Sequence, residues 1–368
     1  VNAGADAVYV GGAKYGARAY AENPEEEDLI AGLRYAHRFG VRVHLTVNTL
    51  LKEAELQALP EYIAPYYEAG LDAAIVQDLG ALAVLHKQFP LLSLHASTQT
   101  TVTGPESARL FRSLGVSRVI PARELSLEEL VRIKQETGLE VESFVHGALC
   151  YAYSGQCFMS SLLGGRSGNR GRCAQTCRLP YSLVRDHEKP SKQSLLLSCK
   201  DLCSLDLIPM LAASGIDSLK IEGRMKSPRY TAGVVSIWRK YLDLYAREGE
   251  EGFSVAAEDR ARLLDLFDRG GQTEGYYRKH NGRDMIVLGE KKDKRKPNLP
   301  YEEELEQRYV KTERELLLRG SFRQRAGEPL CLTVSAEVEH LGTVSAEVTG
   351  EVAERARTAG SSPEAVRE

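Results

Sequence analysis

The chain has 368 residues, 43% of them hydrophobic and 27% charged, with a formal net charge of -3 at pH 7, long enough to bury a substantial core and to form two domains. So even a charge balance excludes a protein that coats nucleic acid over its whole surface; any polyanion contact must come from a local patch. No apolar run approaches the roughly 20 residues that span a bilayer, and the first residues lack the basic-then-apolar order of a secretory signal, which predicts a cytoplasmic protein with no membrane partner.

In chain order, the sequence opens at Val1 inside "NAGADAVYVGG" and closes in "SSPEAVRE" without a helix stop, so both ends read as cut. From Ala7 to about Tyr245, short β-branched runs alternate with amphipathic stretches. The predicted strands are "AVYV", "VRVHLTV", "AAIVQD", "LSLHAST", "RVIPA", "VESFVHG" and "SLKIEG". Between them, "EEDLIAGLRYAHRFG", "EAELQALPEYIAPYYEAG" and "SLEELVRIKQETG" carry apolar residues at three- and four-residue spacing and end in glycine, which predicts helices.

This rhythm predicts a parallel sheet. About seven strands, starting abruptly, suit a TIM-like (β/α)8 barrel lacking its first β-α unit better than an open doubly wound sheet. Residues 1–250 form the predicted barrel-like catalytic domain, and 251–300 a linker with glycine-rich turns, including the charged "GEKKDKRKPNLP". Alternating polarity from "SFRQRAGEPLCLTVSAEVEHLGTVSAEVTG" onward predicts a small, truncated β-rich accessory domain over 301–368.

The strand ends are where a barrel keeps its chemistry. Here they read Gly11, Gly12, Asn48, Gln77, Asp78, Ser97, Gln99, Arg123, Glu124, His146, Glu222 and Arg224. His146 is either a proton carrier or a core imidazole. Lys220, Glu222 and Arg224 alternate along one strand face, either lining the mouth or closing the barrel as a charge network. Glu124 and Ser126 fit a helix start.

The segment from His146 to Arg178 holds Cys150, Cys157, Cys173 and Cys177 together with Arg166, Arg170, Arg172 and Arg178, and no Asp or Glu occurs between Glu142 and Asp186. Cysteines at short spacings in a reducing compartment are more often ligands or catalytic thiols than disulfides. Four thiolates at one point require a cation. The spacing C-x6-C-x15-C-x3-C fits paired zinc knuckles poorly and an iron-sulfur cluster better, leaving zinc as the alternative. The arginines could offset an anionic cluster or hold an anionic substrate. The bland alternative is a set of structural cysteines under a solvated loop; the remaining cysteines are Cys199, Cys203 and Cys331.

"FVHGALCYAYSGQCFMSS" followed by "NRGRCAQTCR", with "LLLSCKDLC", "DSLKIEGRMKSPRY" and "FDRGGQTEGYY", resembles the signature of the U32 peptidase family, the collagenase-like proteases. The later part, including "RAGEPLCLTVSA", resembles the extra C-terminal domain of its long members, among them ribosomal RNA cytidine hydroxylases. The resemblance implies a barrel-like body and a 4Fe-4S cluster used in oxygen-independent hydroxylation of a pyrimidine in rRNA or tRNA. It also implies a small carboxylate such as prephenate as the oxygen source, for which Arg123 is suited. By motif, Cys150, Cys157 and Cys173 are ligands, and the fourth is Cys177 or Cys199. His146, Glu222 and Arg123 are the candidate catalytic residues; Arg166, Arg170, Arg172, Arg178, Lys220 and Arg224 are the candidate substrate contacts.

The family name raises a second reading, a collagenase-like peptidase with a structural metal. No H-E-x-x-H and no G-x-S-x-G occurs. A Cys150–His146 thiol-imidazole pair is the remaining route to proteolysis.

Overall fold

The computed structural model describes residues 1–223, 225–278, 282–288, 297–338 and 342–352. Arg224 and the basic run 291–296 lie outside the described residues. The chain divides into two compact units, one of 1–34 and 41–312, the other of Tyr35–Gly40 with the chain from Glu313 onward.

In the first unit all seven predicted strands are present. They are β1 (Ala7–Val10), β2 (Arg42–Val47), β3 (Ala73–Val76), β4 (Ser93–Ala96), β5 (Arg118–Val119), β6 (Glu140–Ala148) and β8 (Ser218–Ile221). Each pairs in parallel with its neighbour in the order β1-β2-β3-β4-β5-β6, with β8 parallel to β6. Two short strands were not legible beforehand: β7 (Asp201–Cys203), antiparallel to the end of β6, and β9 (Gln272–Thr273), parallel to β7. The architecture is therefore mixed α/β with a mostly parallel sheet. Among the described residues no ladder joins β8 to β1, so the closed barrel expected from the rhythm is not formed by backbone pairing.

The connecting helices include α1 (Glu26–Arg38), α2 (Glu53–Glu68), α3 (Leu79–Gln88), α4 (Pro105–Ser113) and α5 (Leu127–Thr137). After them come α6 (Met159–Gly164), α7 (Ile208–Ala213), α8 (Pro228–Glu248), α9 (Ala257–Leu266) and α10 (Leu299–Leu305). Their starts follow local chemistry. Ser126 and Glu129 form a reciprocal capping box on α5, which stops at Gly138 in the left-handed region. Asp78 caps α3 by accepting from the Ala81 amide, and Ser227 with Pro228 starts α8. Residues 299–310 belong to the first unit, where Arg229 at the start of α8 pairs with Glu306 at 2.6 Å and Glu302 at 3.1 Å.

One face of the strands carries a buried polar cluster. Glu142 on β6 binds the Lys220 ammonium at 2.6 Å and the Arg118 guanidinium at 3.1 Å. His44 and His95 stack edge to face beside them, 4.8 Å apart. The Lys220 ammonium also lies 4.2 Å from the centre of the Tyr9 ring, so a side chain of β8 reaches one of β1. Burial opposes ionisation of Glu142, but the Lys220 ammonium outweighs it and holds the carboxyl at about 2.

The second unit contains a three-stranded antiparallel sheet, β10 (Leu318–Arg323), β11 (Pro329–Val338) and β12 (Gly342–Val352), in that order. This is the small antiparallel sheet that alternating polarity predicts.

Two stability outcomes follow. Lys220→Ala leaves Glu142 buried beside one cation instead of two and lowers the unfolding free energy by about 3–5 kcal/mol in urea denaturation. Burial pulls His44 to about 4, His95 to about 2 and His146 to about 3. The unfolded chain takes up these protons below its ordinary 6.5 and the folded chain does not. Stability contributed by the neutral imidazoles is thus complete above that value and declines as pH falls towards 4. Urea midpoints at pH 7.5 and 5 check the sign, and a higher midpoint at pH 5 would contradict it.

Candidate functional site at the strand ends

The carboxyl ends of the strands carry loops that interlock through backbone contacts. Gly147 at the end of β6 has φ +115°, and a Cβ there would meet the Glu222 Cβ at 2.8 Å and its carbonyl oxygen at 2.9 Å. The ends of β6 and β8 can approach this closely only because the side chain is absent. Gly155 in the cysteine loop plays the same part against the loop after β4, where a Cβ would lie 2.3 Å from the Gln99 carbonyl oxygen. Thr101 donates to the Ser154 carbonyl at 2.8 Å, and Gln156 donates to the Thr101 hydroxyl at 2.7 Å.

All four clustered cysteines are free thiols; Cys150 and Cys173 are exposed, Cys157 and Cys177 half-buried. Burial raises the Cys177 thiol pKa, the Arg178 guanidinium opposes that rise, and the thiols of Cys150, Cys173 and Cys157 each add to it by repulsion. Cys177 thus has Cys150, Cys173 and Cys157 as electrostatic neighbours. The buried Cys199 thiol is pushed to about 11, chiefly by burial, and is influenced by Cys150 and Cys177. Both Cys177 and Cys199 feel the charge of Cys150. Amide and hydroxyl donors also reach sulfur: the Gln175 amide lies 3.3 Å from Cys173 Sγ and the Ser160 hydroxyl 4.0 Å from it. Among the described residues no three Cys, His, Asp or Glu side chains close onto one point at ligand separation. The thiols are gathered without being drawn shut.

Arg178 does the gathering. Its guanidinium donates to the Cys199 carbonyl at 2.6 Å, to the Ser198 hydroxyl at 3.1 Å and to the Leu149 carbonyl. Leu149 beside Cys150, Ser198 and Cys199 are thereby tied to the residue that follows Cys177. Sequence reasoning offered Arg178 as a substrate contact; its donors point at the protein's own backbone.

The other candidates separate. Arg170 is held by Glu55 at 2.6 and 3.0 Å and by the Leu50 carbonyl, which fastens the loop to α2. Arg166 stacks on Tyr20 at 5.0 Å, and Arg172 is exposed. Arg123 donates to the Ala148 carbonyl and lies 4.5 Å over the Phe144 ring, while its buried Nε has no partner among the described residues. Glu222 meets Arg18 at 3.4 Å. Lys220 lies in the polar core with Glu142, and Arg224 is outside the described residues.

His146 does not face the mouth. Strand alternation puts it on the face of Glu142 and Phe144, but the β6–β8 register shifts between Phe144 and His146. The imidazole packs instead against α8, where its Nδ1 accepts from the Trp238 indole at 3.4 Å, and it is 3% exposed. Buried in that way, it stays neutral down to about pH 3. No hydrogen bond joins it to Cys150, so the thiol-imidazole pair of a cysteine peptidase is not assembled.

Three groups went unnoticed in the sequence. Arg18, in the loop after β1, is influenced first by Glu222 and more weakly by Cys150 and Cys173. Asp201 on β7 binds Arg269 at 2.8 Å and keeps one buried carboxylate oxygen without a partner among the described residues. Lys226, half-buried over the Phe267 ring, is pulled to about 7 by burial and by Arg269. Arg269 and Phe267 sit in "FDRGG" and Asp201 in "KDLC", motifs whose individual residues carry no spacing signal.

Arg178→Met removes the clasp while keeping an unbranched chain. Alkylation of the folded protein, read by peptide mass spectrometry, then labels Cys199, which the wild type protects by burial; equal protection in both would contradict the clasp.

The chain is 42% identical over 246 residues to the 23S rRNA 5-hydroxycytidine C2501 synthase of Escherichia coli, a match covering 67% of this chain and 37% of that protein. It is 36% identical over 261 residues to tRNA hydroxylation protein P1 of Bacillus subtilis, covering 68% and 61%. It is 40% identical over 253 residues to an uncharacterized protease of Methanocaldococcus jannaschii, covering 66% and 61%. The chain thus spans between about a third and three fifths of the length of these relatives. The model of peptidase family U32 matches residues 1–286, and the chain belongs to that family.

Proposed function

We propose that this chain carries the hydroxylating site of a U32-family enzyme that adds oxygen to a pyrimidine of rRNA or tRNA without molecular oxygen, using an iron-sulfur cluster and a small carboxylate of the prephenate type. Relatives named for rRNA 5-hydroxycytidine synthesis and tRNA hydroxylation support the reaction class. We read the sheet as a TIM-like barrel, supported by the reach of Lys220 to Tyr9 and the polar core between them. The observation that carries the proposal is the gathering of four free thiols on a loop devoid of carboxylates and clasped by Arg178.

The chemistry of the donor set supports this reading. The sulfurs come from separate turns, are not engaged in disulfides, and receive an amide donor at Cys173. Cys150, Cys157, Cys173 and Cys177 would hold it, Cys177 being preferred over Cys199 because it completes the local motif and is half-buried where Cys199 is buried. When bound, the cluster supplies one-electron chemistry at the mouth.

The remaining roles belong to the chain's own side chains. Arg18 offsets negative charge near Cys150 and Cys173 and orients Glu222, the carboxylate available at the mouth to accept or return a proton. Arg123, fixed on Phe144 and Ala148, is the seat for the donor's carboxylate. His146, neutral and bonded to Trp238, sets the end of β6 and moves no proton. Arg178 and Arg170 position the loop, leaving Arg166 and Arg172 to face RNA.

Protein purified without oxygen is expected to be brown, to contain iron and inorganic sulfide, and to give an iron-sulfur Mössbauer spectrum. Serine at Cys150, Cys157 or Cys173 removes the colour, whereas serine at Cys199 leaves it. RNA from a deletion strain loses one hydroxylated pyrimidine by nucleoside mass spectrometry. One zinc per chain with no chromophore, or an unchanged nucleoside profile, would overturn the proposal in favour of a peptidase with a structural metal.

A further inference from the structure

An open cleft of about 710 Å³ lies between the loop after β1, the start of α2 and residues 165–172 of the cysteine loop. Its charge is lopsided. Lys14, Lys52, Arg170 and Arg172 line it, against the single carboxylate of Glu55. That carboxylate is already committed, to Arg170 at 2.6 and 3.0 Å and to the Lys52 amide at 2.7 Å. The hydrogen bond from Arg170 leads the causes that hold its pKa at about 2, so it stays ionised and spent. Among the described residues, Lys14, Lys52 and Arg172 have no carboxylate within 4.0 Å. Three cations therefore face one concavity without an ion pair of their own, and an incoming polyanion would relieve their mutual repulsion.

The walls are built rather than incidental. The Ala19 amide donates to the Gly171 carbonyl at 3.2 Å. Gly171 has φ +80°, and a Cβ there would meet the Gly16 carbonyl oxygen at 2.7 Å and the Ala19 nitrogen at 2.9 Å. The cysteine loop and the loop after β1 are thus locked edge to edge, and Arg170 locks the former to α2. The cleft exists before any ligand arrives, so little ordering entropy is spent on filling it. Arg172 immediately precedes Cys173, and next to the lining residue Ala19 the half-exposed Tyr20 ring is covered by the Arg166 guanidinium.

We propose that this cleft seats the sugar-phosphate segment of the RNA next to the nucleotide being modified, with Lys14, Lys52 and Arg172 on phosphates and the Tyr20–Arg166 stack as a platform for a neighbouring base. The assignment rests on the RNA reading above and adds where the strand runs. Its volume falls in the range of sites that enclose a small-molecule-sized unit such as one nucleotide.

The test uses Lys14→Ala/Lys52→Ala, which spares every cysteine and every side-chain hydrogen bond of the cleft, and measures fluorescence anisotropy of a labelled single-stranded RNA over a salt series. The double variant is expected to bind roughly tenfold more weakly at low salt, with its log-log salt slope flattened by about 1.4, the release of two phosphate contacts. Lys87→Ala, at the far end of α3, is expected to bind as wild type. Unfolding midpoint and iron content confirm that the double variant is intact. Equal affinity of double variant and wild type, or equal weakening by Lys87→Ala, overturns the cleft assignment while leaving the hydroxylation reading standing. Absence of salt-dependent RNA binding by the wild type sinks both.

Discussion

Everything at the mouth depends on one guanidinium. Arg178 reaches carbonyls on either side of the cysteine loop, at Leu149 and Cys199, from the residue after Cys177. Hydrogen bonds from a charged donor contribute on the order of 1.5–3 kcal/mol each. Several of them can hold together three segments that the sheet alone does not align. A lysine, with a point charge instead of a planar fork, could not reach both carbonyls and the Ser198 hydroxyl together. The same cation opposes the rise that burial causes in the Cys177 thiol pKa, so fastening and easier ionisation come from one side chain. A carboxylate beside Arg178 would compete with these acceptors for the guanidinium.

Below the mouth, the Arg118–Glu142–Lys220 network replaces part of the apolar packing expected between strands. Buried ion pairs seldom stabilise a fold relative to hydrophobic residues of the same size, but breaking one is costly, so the network specifies which strands meet. It joins β5, β6 and β8, and Lys220 extends it to Tyr9 on β1. His44 and His95 complete it while remaining neutral, which avoids adding positive charge to a site that already holds two cations.

How much of this was legible depended on period. The seven strands and the capped helices follow from alternation, helical spacing and residues such as Ser126, Glu129 and Gly138, all local signals. β7 was hidden because three residues make too short a run for any period, and its antiparallel pairing is decided by β6 rather than by its own composition. The cysteine loop announced itself through composition, yet the roles of its arginines did not. Arg170 and Arg178 are indistinguishable from Arg166 and Arg172 until the acceptors, Glu55 and two distant backbone carbonyls, are in place. Lys220 is a similar case: strand alternation gives the face correctly, but not the depth along it that separates a buried pair from a mouth residue.

His146 shows why a motif position and a functional position can part company. The alternation that carries Glu142 and Phe144 inward fails one step later, because the register shift at Val145 spends an extra residue. The freed Val145 carbonyl accepts from both the amide and the hydroxyl of Ser204, at 3.0 Å each, so the irregularity leaves no buried acceptor unpaired. Turning His146 towards Trp238 lets the strand end cross closely beside Glu222 at Gly147, and the chain then enters the cysteine loop at Leu149 directly beneath Arg178. His146 therefore packs in the core while the loop that follows carries Cys150 to an exposed position.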